Sequence, residues 1–174
     1  MKNLPILNGE HVYLRPFQKE DAEIYSSWLK DAELRRLADE EERSIEELIT
    51  YQEQRTQNER YIEYIIVNKS TKKPIGDACI NLGREKPLCG LMIAYPENRR
   101  EGYGRDCVKV LLKFARNQLG LEEIYAEVFP FNVGAQKFHE SIGMKKLGSI
   151  LDDKGKECIL YVMRLDKDFS DLQI

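Results

Sequence analysis

Histidine is scarce in this 174-residue sequence, occurring twice, and the four cysteines Cys79, Cys89, Cys107 and Cys158 form no Cys-x-x-Cys pair. Zinc modules need clustered Cys and His ligands, so this spacing predicts a protein without a metal site. Cys79 and Cys107 fall within apolar periodicities and read as core thiols in place of nucleophiles. Long apolar runs are also missing. Nothing approaches the roughly 20 residues that cross a bilayer, and the opening Met1-Lys2-Asn3-Leu4-Pro5 leads into polar Asn8-Gly9-Glu10 without a secretion-signal core. The expectation is a cytoplasmic protein with no membrane partner. A basic surplus is lacking too: 27 Lys and Arg stand against 30 Asp and Glu, for a formal charge of −3. Proteins that neutralise many phosphates carry the opposite imbalance, so nucleic acid is not an expected partner.

What the chain does have is 42% hydrophobic and 33% charged residues, the balance of a folded domain, and a length that predicts a single one over 1–174. Val12 to Arg15 reads as a strand stopped by Pro16. Asp21 to Leu29 reads as a helix with Ile24, Tyr25, Trp28 and Leu29 on one face. Ser44 and Glu47 make a capping box for a second helix reaching about Asn58, and Glu40-Glu41-Glu42-Arg43 before it reads as solvated loop. Tyr61 to Val67, Ile75 to Leu82 and Cys89 to Tyr95 are rich in β-branched and aromatic residues and predict a three-stranded meander. From Gly104 the period changes. Cys107, Val108, Leu111, Leu112, Ala115 and Leu119 share one helical face, with Gly120 as the stop. A strand over Ile124 to Val128, a helix over Val133 to Ile142 and a hairpin from Lys145 to Arg164 close the chain. This order predicts a mixed, mostly antiparallel α/β sheet of about seven strands, with one β-α-β crossover and helices on both faces.

The segment Asn98-Arg99-Arg100-Glu101-Gly102-Tyr103-Gly104-Arg105 joins a strand to the N-terminus of the strongest helix. The first helical turn leaves backbone N–H groups unpaired, and the helix dipole favours an anion there by about 0.3–1 kcal/mol. Arg99, Arg100 and Arg105 add positive charge, and two glycines let the backbone approach a phosphate. An isolated Gly-x-Gly is also compatible with a plain strand-to-helix turn. Two other phosphate loops fail on residues: a dinucleotide fingerprint needs glycine where Cys107 stands, and a P-loop needs Gly-Lys where Gly104-Arg105 stands.

Arg99-x-x-Gly102-x-Gly104 after a strand resembles the acetyl-CoA pyrophosphate loop of the GCN5-related N-acetyltransferases. Asn132 to Met144 resembles the second cofactor motif of that family, and Val12-Tyr13-Leu14-Arg15-Pro16 with Asp21 and Trp28 resembles its ribosomal-protein N-terminal acetyltransferase branch. The resemblance implies an acyltransferase that uses acetyl-CoA as acetyl donor. It implies strands splayed near Leu91 to Ala94 and Ile124 to Val128, with the pantetheine arm between them. Amides over Arg99, Arg100, Glu101, Gly102, Tyr103, Gly104 and Arg105 would hold the pyrophosphate, a free amide within Met92, Ile93 and Ala94 would face the thioester oxygen, and Asn132 would contact the arm. The acceptor would be a primary amine, with a peptide N-terminus first and a polyamine or small aminated compound second; a non-catalytic acyl-CoA-binding module is the alternative class. A homodimer is left open.

The resemblance also names catalytic candidates. Glu127, five residues before Asn132, occupies the place of the family's general base. It projects away from Ile124, Ala126 and Val128, and a solvated or ion-paired strand glutamate is the equal alternative. Asp77 is a weaker candidate base. The family's usual tyrosine acid, seven residues after the asparagine, is replaced by His139, which shares a stripe with Ala135, Phe138 and Ile142 and reads equally as a packing residue.

Overall fold

Val12–Arg15 and Glu123–Val128 alternate buried with half-buried residues, whereas Tyr61–Asn68 is buried at nearly every position. A computed structural model describes residues 3–166. One mixed sheet is built from β1 (Leu7–Asn8), β2 (Val12–Arg15), β3 (Tyr61–Asn68), β4 (Pro74–Asn81), β5 (Leu88–Ile93), β6 (Glu123–Val128), β7 (Lys145–Leu151) and β8 (Glu157–Arg164). Their order is β1-β2-β3-β4-β5-β6-β8-β7, with β5 and β6 the parallel pair. Five helices accompany it: α1 (Asp21–Trp28), α2 (Ala32–Ala38), α3 (Ile45–Gln57), α4 (Tyr103–Asn117) and α5 (Val133–Ser141).

The sheet divides two cores. On one face α4 buries Cys107, Val108, Leu111, Leu112 and Ala115, the stripe its periodicity predicts, together with Phe114, which meets Tyr64 edge-on at 5.9 Å. On the other face Tyr25, Trp28 and Leu29 from the first helix, Leu34 and Leu48 pack on Ile65, Val67, Met92 and Ala94. Fully burying one such side chain stabilises by roughly 1.5–3 kcal/mol, so both faces must be covered for the sheet to persist. The Ser44–Glu47 capping box forms as predicted.

Three features depart from the sequence reading. The sheet has eight strands because the two-residue β1 pairs with β2, Leu7 opposite Leu14. Helix α2 was not predicted. It buries only Leu34, so it has no apolar stripe, and its start is held by Asp31, whose side chain accepts from the N–H groups of Glu33 and Leu34. The acidic run before α3 is not all solvated: Glu40 and Arg43 pair at 2.7 Å with both side chains mostly enclosed.

One contact fixes the start of α4 to the sheet edge. The Asp106 carboxylate, in the first turn of α4, accepts hydrogen bonds from the backbone N–H groups of Glu10, His11 and Val12 at 2.9, 2.7 and 2.9 Å. The turn can approach so closely because residue 9 is glycine; a Cβ there would lie 2.5 Å from a carboxylate oxygen. Asp106→Ala leaves those three donors without their acceptor, and hydrogen bonds to a charged group contribute about 1.5–3 kcal/mol each before water replaces part of the loss. The expected result in urea unfolding is a loss of about 2–3 kcal/mol with an unchanged slope. A loss below about 0.5 kcal/mol, the scatter of ordinary surface substitutions, would contradict the anchoring role.

Candidate active site

Strand β5 is bonded along its full length to β4, from Leu88 opposite Asn81 to Ile93 opposite Gly76. Its other edge meets β6 at one register pair, Leu88 with Tyr125, where the Tyr125 N–H donates to the Pro87 carbonyl at 2.9 Å. On its opposite edge β6 is paired with β8 throughout, from Glu123 to Val128. The two parallel strands therefore part after Leu88, leaving backbone groups of β5 facing a gap. Alternation decides which ones. The Ala94 N–H donates to Ile75 at 2.8 Å, toward β4, so Ile93 turns its backbone to the gap, and its carbonyl accepts from Arg99 Nε at 3.1 Å. Of Met92, Ile93 and Ala94, it is Ile93 whose amide faces the opening. Met92 and Ala94 bury their side chains beneath α1.

The glycine loop lies at the mouth of this gap. Arg100 has φ 71° and Gly102, the N-cap of α4, has φ 82°. Left-handed residues in such a turn gather successive amides into a concave, anion-binding surface. Asp106 donates the first intrahelical bond, to the Gly102 carbonyl, so the N–H groups of Tyr103, Gly104 and Arg105 open the helix without an intrahelical acceptor. The two glycines have different reasons. A Cβ at Gly102 would meet nothing within 4 Å, so its requirement is the positive φ; a Cβ at Gly104 would touch Phe138 and Leu91 at 3.5 and 3.7 Å, so it sits where α4, α5 and β5 converge. Arg105 reaches Ser141 Oγ at 2.9 Å, while Arg100 and Glu101 are exposed.

Asn132 caps α5, its side-chain oxygen accepting from the Ala135 N–H at 3.1 Å. His139 reaches the inner end of the gap, lining a small enclosed pocket with Gly90, Leu91 and Val108. Its ring is stacked on Tyr161 at 5.7 Å and edge-on to Phe138 at 5.5 Å, and its Nδ1 lies 2.7 Å from the Ala135 carbonyl. A carbonyl only accepts, so Nδ1 carries the proton and, in the neutral ring, Nε2 is bare. Burial lowers the His139 pKa below its ordinary value, against a smaller opposing effect of the bond to Ala135. A neutral ring with a bare Nε2 has no proton to offer a leaving thiolate.

Glu127 projects to the α1 and α3 face of the sheet, opposite the buried Ile124, Ala126 and Val128. Its carboxylate meets Arg84 at 3.4 Å, and Arg84 also pairs with Asp153 at 3.1 Å. Burial raises the Glu127 pKa while Arg84 opposes the rise. The bridge ties the loop before β5 to the β7–β8 turn, the ion-paired alternative of the sequence reading. Across the gap on the same face, Asp77 of β4 accepts a hydrogen bond from Tyr25 of α1 at 2.7 Å. Sequence reasoning placed Tyr25 in the core and did not connect it to Asp77, because that pairing spans 52 positions. An open cleft on this side runs between α2 and the turn after β6, walled by Arg36, Phe129 and Phe131 and bridged by Asp39 to Lys154 and Lys156.

A family model described as an acetyltransferase (GNAT) domain matches residues 11–145. The chain is 26% identical over 168 residues to an N-acetyltransferase 9-like protein of Dictyostelium discoideum, covering 83% of this chain and 79% of that one. It is 24% identical to the alpha/beta-tubulin-N-acetyltransferase 9 of Mus musculus, covering 82% and 65%. Its fold superimposes on a spermidine N-acetyltransferase from Vibrio cholerae, solved with CoA and spermine, with a TM-score of 0.78 at 16% identity, over 92% of this chain and 99% of that one.

The environment of His139 predicts its titration. Because burial disfavours the imidazolium, the ring should titrate below the ordinary value of about 6.5 and stay neutral, with Nδ1 protonated, at pH 7. Nitrogen chemical shifts of the ring across pH 4 to 9 read both properties. A midpoint at or above 6.5, or an Nε2-protonated neutral tautomer, would contradict the placement.

Proposed function

This chain belongs to the acetyltransferase (GNAT) family and is an acetyl-CoA-dependent acetyltransferase; on that premise we propose that it acetylates the free N-terminal amine of a protein or peptide. The observation that carries the proposal is the parting of β5 from β6 with the amide-rich start of α4 at its mouth. A pyrophosphate fits the amides of residues 100–105, with Arg99, Arg100 and Arg105 around it. The Ile93 N–H is positioned for the thioester oxygen, and the Asn132 side chain lies at the head of α5 beside the path of the pantetheine arm. No metal enters this scheme. Holding the amine and thioester in line supplies most of the acceleration, since well-oriented reactants gain roughly 7–11 kcal/mol over encounter in solution.

The protein N-terminus is favoured over a polyamine by the cleft on the acceptor side. Phe129 and Phe131 stack at 5.0 Å, and Arg36 lies 4.4 Å over the Phe131 ring. Such a wall suits an extended peptide with side chains more than a bare aliphatic amine. The name of the murine relative, which specifies a protein substrate, supports the same reading.

Acetyl-CoA should raise the melting temperature, because a ligand that binds only the folded state adds about 2.7 kcal/mol at a hundredfold excess over its dissociation constant. ATP should raise it much less, and Gly102→Val, which cannot adopt φ 82° without strain, should lose most of the acetyl-CoA shift. Equal shifts from ATP and acetyl-CoA would reduce the site to a generic phosphate cradle. Thiol release from acetyl-CoA should then be faster with pooled free-N-terminus peptides than with polyamines; the reverse order would replace the proposed acceptor with a polyamine.

A further inference from the structure

Glu127, Glu63 and Asp77 are carboxylates on the acceptor face of the sheet, and their surroundings differ. Glu127 is bridged to Arg84. Glu63 of β3 is bridged to Arg55 at 3.1 Å. Asp77 has no ion pair at salt-bridge distance among the described residues; its described side-chain partner is the Tyr25 hydroxyl. We propose that Asp77, positioned by Tyr25, is the group that takes the proton from the attacking amine. The proposal rests on the acetyl-transfer reading above.

Asp77 is placed beside the gap. Asp77 stands opposite Met92 in the β4–β5 ladder, one residue from Ile93, whose amide faces the gap. Directly opposed residues on one face of a sheet have Cβ atoms about 4.5–5.5 Å apart, so the carboxylate belongs to the floor immediately beside the place where the thioester oxygen would be held. Asp77 shares this face with Ile65, Met92 and Ala94, opposite the face covered by α4. An amine approaching from the acceptor side and a thioester lying in the gap would therefore meet at its rim.

Gly76 and Ala78 on either side of Asp77 are buried, yet Asp77 itself, with Cys79 and Gly90 on the same face, keeps part of its surface open to water. Its carboxylate is held by the Tyr25 hydroxyl and a backbone N–H, with no arginine or lysine at salt-bridge distance among the described residues, and the residue stays half-buried. The charged and titratable groups facing it come from every neighbouring element: Tyr25 from α1, Glu40 after α2, Arg55 from α3 and Glu63 from β3. Burial and Glu40 push the Asp77 carboxyl up, the Tyr25 hydrogen bond and Arg55 pull it down, and the balance is a value raised to about 6. Such a carboxylate is ionised at neutral pH and more basic than an ordinary aspartate, which suits a general base.

The ammonium of the acceptor gives one proton to Asp77. The freed lone pair forms a C–N bond to the thioester carbonyl carbon, and the C–S bond breaks with its electron pair leaving on sulfur. The second proton lost by nitrogen neutralises the thiolate, giving amide and free CoA thiol. Asp77 returns its proton to water through its open side.

The test uses acetyl-CoA with a pool of lysine-free hexapeptides bearing free N-termini, and the same pool N-terminally blocked as a blank. Thiol release is followed from pH 5 to 9. Asp77→Asn keeps the shape and should lose about 100-fold in turnover, with the acetyl-CoA-induced melting shift intact and the acid limb of kcat/KM gone. Tyr25→Phe removes a donor that stabilises the charged carboxylate, so the acid limb should move to higher pH; a merely structural tyrosine would change stability and leave the limb in place. Glu127→Gln should keep the acid limb. Asp77→Asn within threefold of the parent, or an acid limb that neither Asp77→Asn nor Tyr25→Phe alters, overturns the proposal. If the unmodified protein releases no thiol with the free pool, the N-terminal-amine reading itself fails, a result distinguishable because it precedes any substitution.

Discussion

The structure depends on one strand edge that is left largely unpaired. A strand has two edges, and β6 commits one of them to β8 from Glu123 to Val128 while sharing a single register pair with β5. A continuous sheet would satisfy more backbone groups, and buried groups left unpaired are costly. In the proposed function the break is filled by a ligand, which would meet the Ile93 amide on one side, the Ile93 carbonyl being taken by Arg99, and the amides at the start of α4 at the mouth. The opening and the helix start are useful together, since a thioester arm and its pyrophosphate belong to one molecule and must be held at a fixed separation.

That separation is set by anchors remote in sequence. Asp106 fixes the first turn of α4 to the turn before β2 across 96 positions, and Gly104 lets α4 close on Phe138 and Leu91. On the acceptor face, α1 delivers Tyr25 to Asp77 across 52 positions, and Asp39 ties the end of α2 to Lys154 and Lys156 of the last hairpin. The proposed cofactor side is thus built from backbone held in register, and the proposed acceptor side from side chains brought by covering elements.

Much of this was legible in the chain. The helical stripe of Cys107, Val108, Leu111, Leu112 and Ala115, the Ser44–Glu47 box and the alternation of Ile124, Ala126 and Val128 are local patterns, and local patterns survive folding. The loop from Arg99 to Arg105 was legible because its glycine spacing and its position between strand and helix are both local. The short α2 and β1 were not, since one buried leucine and two paired residues leave no period to read. The partners of candidate side chains were also hidden: that Glu127 meets Arg84, that His139 turns Nδ1 to its own helix, and that Asp77 is met by Tyr25 follows from tertiary placement. Glu127 and Asp77 are both strand carboxylates in the sequence, and only the fold shows that an arginine pairs with the first and a tyrosine hydroxyl with the second.

The central claim is that one molecule of acetyl-CoA lies in the gap between β5 and β6 with its pyrophosphate on α4. Titrating ¹⁵N-labelled protein with acetyl-CoA tests it directly through backbone amide shifts. The account predicts the largest perturbations at residues 100–105 and at Ile93, saturating together at one ligand per chain, with Ala94, whose N–H is already bonded to Ile75, moving less. Saturation of the loop amides without a response at Ile93, or perturbations confined to the cleft between α2 and the turn after β6, would contradict it.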